Sequence, residues 1–101
     1  MTLYRAVSDV EWRQTVQSAK LQTMPGAMEG KWFAESIDDA RSWGTWFTGI
    51  TGIPHDKILV VTISDRAAAR LFRLVMLDNI GPARFADAGE LGEFKIVEVT
   101  T

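Results

Sequence analysis

The chain has 101 residues, the size of one ordinary domain, and 47% of them are hydrophobic, with four Trp and five Phe to build a single core. It contains no cysteine and a single histidine, which excludes disulfides, thiolate metal sites and a cysteine nucleophile, and argues against structural zinc. The net charge is -2, and no stretch gathers Lys or Arg into a stripe, so nucleic acid is not an expected partner.

In chain order, Leu3 to Val7 reads as a first strand. Ser8-Asp9-Val10-Glu11 then matches a capping box, in which the Ser8 hydroxyl accepts from the amide three residues on and Glu11 reaches back to the Ser8 amide. A helix from about Asp9 to Ala19 is expected to follow, ended by Met24-Pro25-Gly26. Lys31 to Glu35 reads as a second strand, and Ser36-Ile37-Asp38-Asp39 as a second cap with acids in the first turn. The helix it opens carries Ala40, Trp43 and Phe47 on one face and ends in a loop from Gly49 to Pro54. Ile58 to Ile63 is β-branched and nearly continuous, the pattern of a central strand. Ser64-Asp65 caps a short helix expected to reach Leu74, Gly81-Pro82 opens a loop, and Phe94 to Val99 is a last strand. The order of elements predicts a single α+β domain spanning the chain.

The opening MTLYRAVSDVEW has no basic region followed by an apolar run, and no apolar run is longer than Ile58 to Val61, far too short to cross a bilayer. The expectation is a soluble, cytoplasmic protein without membrane partners. Most catalytic vocabulary is absent: there is no phosphate-binding glycine loop, no GxGxxG, no GxSxG and no HExxH. His55, within Ile53-Pro54-His55-Asp56, reads as a solvated turn residue; a small hydrolase or nuclease built on His55 and Asp56 is the weaker alternative.

The segment Gly30-Lys31-Trp32-Phe33-Ala34, with Trp43 eleven residues after Trp32, resembles the second signature of the ADP-ribosyltransferase superfamily, the fold shared by poly(ADP-ribose) polymerases and bacterial mono-ADP-ribosylating toxins. Leu3-Tyr4-Arg5-Ala6-Val7 is similar to its first strand, and Gly92-Glu93-Phe94 followed by Lys95 to Val99 to its last signature. The resemblance implies a mainly antiparallel, split β-sheet with short flanking helices. It also implies NAD+ as substrate and no metal. Arg5 would contact the ribose or a phosphate, and the Ala6 backbone would hold the nicotinamide amide. Trp43 would stack on the nicotinamide ring, with Trp32, Phe33 and Ala34 forming the strand that lines the pocket. An electron-rich aromatic face suits a flat, cationic ring. Glu93, ahead of Glu90, would stabilise the oxocarbenium-like cation as nicotinamide leaves. The partners implied are NAD+, a protein acceptor of ADP-ribose and, for a toxin, a cognate immunity or antitoxin protein.

This chain also departs from the family pattern. Trp stands at both positions where Tyr is usual, Ala6 stands where Gly is usual, and Arg5 belongs with one branch while the aromatic-Phe-Ala strand belongs with another. Two further readings stand beside the transferase: a catalytically silent nucleotide- or protein-binding module, and an NAD+ glycohydrolase that passes ADP-ribose to water.

Overall fold

The computed structural model describes residues 1–18 and 30–100. Ala19 and the Met24-Pro25-Gly26 break lie outside the described residues. The elements are β1 (Thr2–Val7), α1 (Asp9–Ser18), β2 (Gly30–Ala34), α2 (Ile37–Thr51), β3 (Lys57–Thr62), α3 (Asp65–Arg70), β4 (Phe72–Leu77), β5 (Gly81–Asp87), a 3₁₀ turn (Glu90–Glu93) and β6 (Lys95–Thr100). The described strands form one six-stranded sheet in the order β4-β5-β2-β1-β3-β6, and every described pairing is antiparallel. The fold is α+β, as expected.

Period-two alternation sorts the strand side chains onto two faces. Leu3, Val7, Phe33, Leu59 and Val61 are buried on one face, beneath Trp12 of α1, Ala67 and Ala68 of α3, and Leu91 of the 3₁₀ turn. Tyr4, Ala6, Ala34, Ile58, Val60 and Ala83 occupy the other face, beneath Ala40, Trp43 and Phe47 of α2. Strand β3 lies between β1 and β6, and its run Ile58 to Val61 is buried throughout, as a strand covered on both faces requires.

The helix starts are set locally. Ser36 Oγ accepts from the Asp39 amide at 3.2 Å, and Ser64 Oγ accepts from the Ala67 amide at 3.2 Å. At α1, Ser8 Oγ accepts from the Glu11 amide at 3.4 Å, but the Glu11 carboxylate turns away to Arg5 and Lys31, so only half of the expected box forms. Helix α2 runs past Gly49 to Thr51 and ends where Gly52 takes the left-handed conformation, with φ of 72°.

The segment from Leu71 onward departs from expectation. Helix α3 stops at Arg70, and Phe72–Leu77 forms strand β4, hairpinned to β5 through Asp78 and Asn79, both at positive φ. Gly81-Pro82, expected as a loop, begins β5. Pro82 has no N–H to give the ladder, and the β4–β5 register shifts between Leu74 and Leu77, alongside it.

The sheet is nearly divided at its middle. β1 and β2 share a single paired position, Tyr4 with Ala34, whereas β2 pairs with β5 and β1 with β3 along most of their lengths. The Arg5 guanidinium bridges the gap by donating from Nη1 to the Trp32 carbonyl at 3.0 Å.

Candidate functional site

A cleft of about 420 Å³ opens on the α2 side of the sheet, over the place where β1 and β2 part. Tyr4, Arg5 and Ala6 line it from β1, Trp32 from β2, Trp43, Trp46 and Phe47 from α2, His55 from the following loop, and Leu77 and Asp78 from the β4–β5 hairpin. Trp43 and Phe47 share a wall because they are four residues apart on one helix. Trp46 meets Phe47 edge-on at 5.0 Å, and Trp32 is backed by Phe85 at 5.1 Å and Phe72 at 6.1 Å. Trp43 is buried, and its indole N–H has no hydrogen-bond partner among the described residues.

Among the residues singled out in the sequence, Ala6, Trp32 and Trp43 therefore meet at one cleft. Arg5 also borders it, but the Arg5 guanidinium is held on the far side of β1. There Nε and Nη2 donate to the Glu11 carboxylate at 2.7 and 3.0 Å. Lys31, 7% exposed, places its ammonium 3.2 Å from the same carboxylate. Burial pushes the Glu11 carboxyl upward, and the two cations outweigh it, leaving the group below its ordinary value. Burial, and then the Arg5 charge, push the Lys31 ammonium down against the pull of Glu11. This cluster locks the seam beneath the cleft, so Arg5 acts first as a tie between strands rather than as a free phosphate ligand.

Three expected site residues lie elsewhere. Phe33 is fully buried on the opposite face, stacked on Phe94 at 4.8 Å, because strand neighbours point to opposite faces and Trp32 takes the cleft. Ala34 is buried under α2 without lining the cleft. Glu93 is not at a strand start: it closes the 3₁₀ turn on the α3 side and receives a hydrogen bond from Arg70 Nη2 at 3.1 Å. Glu90, the second choice, caps that turn reciprocally with Asp87. The carboxylate that does border the cleft is Asp78.

The cleft also uses Trp46, Leu77 and Asp78, which the sequence did not single out, and Phe47 and His55, which it marked only as a helix-face residue and as a turn residue or weak hydrolase candidate. His55 is half-buried rather than a solvated turn, with its ring tilted against Phe47 at 5.6 Å. Comparison with known proteins adds nothing to this geometry. No family model, curated protein or solved structure matches the chain. Among the described residues no group of acidic or histidine side chains could hold a metal ion, and no helix is long and apolar enough to cross a membrane. The cleft is walled largely by aromatic side chains, with one imidazole and one carboxylate at its border.

Proposed function

We propose that this cleft binds the nicotinamide end of NAD+ and that the protein is an ADP-ribosyltransferase-type enzyme. It would break the nicotinamide–ribose bond and pass ADP-ribose to a macromolecular acceptor. The observation that carries the reading is the meeting of Ala6, Trp32 and Trp43, from three separate elements, on one aromatic cleft. Its volume falls within the ordinary range for small-molecule sites. Asp78 is the carboxylate available to the developing positive charge, in place of Glu93. A toxin or effector role, with a protein acceptor and a cognate immunity protein, follows from the same resemblance.

The test is incubation of purified, folded protein with NAD+. The expected results are nicotinamide release and a change in tryptophan fluorescence on titration. Trp32→Ala, which removes one wall, should weaken NAD+ binding severalfold, since an aromatic or cation–π contact contributes about 0.5–2 kcal/mol. Folded protein that shows neither fluorescence change nor nicotinamide release refutes the reading. A second reading, a silent nucleotide-binding module, is favoured by the engagement of Glu93 with Arg70 away from the cleft. It expects the fluorescence change without nicotinamide release.

A further inference from the structure

His55 is held by its backbone and by one edge of its ring, in contacts that leave Nε2 unused among the described residues. Its backbone N–H donates to Thr48 Oγ1 at 2.9 Å, anchoring the loop to the last turn of α2. Its carbonyl lies against Gly44, where any Cβ would collide with it, so the absence of a side chain at Gly44 sets how closely loop and helix approach. Its ring leans on Phe47, and its Nδ1 is 2.7 Å from the Ile53 carbonyl. A carbonyl oxygen can only accept, so Nδ1 carries the proton of the neutral ring, and the lone pair belongs to Nε2. Nε2 has no protein partner among the described residues, and the ring borders the aromatic cleft.

We infer that His55 is the general base of this site, and that the acceptor it serves is an oxygen nucleophile carrying its own proton, a hydroxyl or water. The inference rests on the NAD+ reading above and adds the acceptor's chemistry to it. As the C1′–N bond of NAD+ breaks, its electron pair leaves with nicotinamide. The acceptor oxygen forms the new C1′–O bond with a lone pair, its proton passes to His55 Nε2, and the imidazolium returns that proton to solvent. No oxidant, reductant or metal enters the balance. A hydroxyl or water without such a base would attack while still carrying its proton, whereas a placed base contributes about 10²–10⁴-fold. The ionisable groups that share the cleft or the adjoining hollow with His55 are Asp78 of the β4–β5 hairpin, Tyr4 of β1, Arg5 of β1 with its guanidinium turned to the far side of the strand, Arg41 of α2 and the neighbouring Asp56.

His55→Asn tests this, because its amide keeps a donor for the Ile53 carbonyl and removes the base; His55→Gln serves if Asn perturbs folding. With NAD+ in buffer, where water is the acceptor, either variant should form ADP-ribose about 100-fold more slowly at near-unchanged NAD+ affinity by fluorescence. The acid limb of the wild-type pH–rate profile should disappear, and added imidazole should restore part of the rate. Adding methanol as a model hydroxyl acceptor should give methyl ADP-riboside in wild type and little in the variant. Variants with the wild-type rate and pH profile overturn the role of His55 while leaving the NAD+ reading intact. Folded wild-type protein that releases no nicotinamide overturns both the transferase reading and the role of His55, whether or not it binds NAD+.

Discussion

Replacing Glu11 with Gln withdraws the carboxylate shared by two cations at the seam of the sheet. The side chains involved are only 23% (Arg5), 18% (Glu11) and 8% (Lys31) exposed, and the contacts are 2.7, 3.0 and 3.2 Å. Removing one partner of a buried pair costs about 3–5 kcal/mol because the remaining charge is left uncompensated. Here the residual exposure of Arg5 and Glu11 admits some water, which lowers the expectation to about 2–4 kcal/mol. For a domain of this size that corresponds to a fall in Tm of roughly 10–25 °C. Urea unfolding and a thermal melt of E11Q, beside the wild type, measure it. A triple apolar replacement, Arg5→Met with Glu11→Leu and Lys31→Met, should recover most of the loss, since no charge is then stranded. It should not recover all of it, because the Trp32 carbonyl loses its donor. A loss below about 1 kcal/mol in E11Q would refute the view that this cluster ties the two halves of the sheet together.

Three other outcomes follow from particular contacts. Hydrogen bonds from Arg73, opposed by burial and reinforced by Arg84, lower the Glu35 carboxyl to about 2. Its stabilisation is therefore complete above an ordinary carboxylate pKa near 4.5 and is lost as the pH falls from there toward 2; Glu11, shifted in the same direction, adds to the loss. Glu35→Gln should flatten this acid slope and cost about 1–2 kcal/mol at neutral pH once solvent screening is allowed for, and an unchanged slope in acid titrations followed by circular dichroism would contradict the assignment. Trp43→Phe should cost under about 1.5 kcal/mol, since it deletes a buried N–H without a partner as well as apolar area, whereas Trp43→Ala should cost about 3–5 kcal/mol in denaturant unfolding. A cost for Trp43→Phe well above about 1.5 kcal/mol would show that the indole N–H is satisfied. Asp78→Asn should slow nicotinamide release about 10²-fold, while Glu93→Gln breaks only an exposed pair with Arg70 and should change stability by less than about 1 kcal/mol. Loss of nicotinamide release in Glu93→Gln with Asp78→Asn still active would return the carboxylate role to Glu93.

The parts of the site that were legible in the sequence are those encoded over a few residues. Trp32 and Trp43 could be picked out because one strand leads directly into one capped helix, and the Ser36 cap fixes where that helix begins. Strand alternation also carried the warning that Trp32 and Phe33 cannot face the same pocket. Glu93 looked like the start of a strand because an apolar run follows it. The chain instead makes a 3₁₀ turn there, with Leu91 buried against the core and the strand beginning at Lys95. His55 was visible as the lone histidine but not as part of the aromatic cleft, since its position depends on Gly44 and Thr48, back in α2.

By itself the sequence determined the α+β class, the starts of three helices at Ser8, Ser36 and Ser64, the buried strand around Ile58 to Val61, and an aromatic pair on β2 and α2. Caps and periodicity act between residues a few positions apart, so they are written in the local pattern. Only the tertiary structure decided that Phe72 to Leu77 leaves the helix to pair with β5 across the Asp78–Asn79 turn, because β5 is itself held against the remote strand β2 and offers backbone hydrogen bonds that outweigh the helix preference of the side chains there. Only it decided that the sheet parts between β1 and β2, that Arg5 is spent on Glu11 and the Trp32 carbonyl, and that His55 and Asp78 rather than Glu93 border the aromatic cleft. Those outcomes depend on which remote segments meet, and side-chain charge and aromatic area take their roles from that meeting.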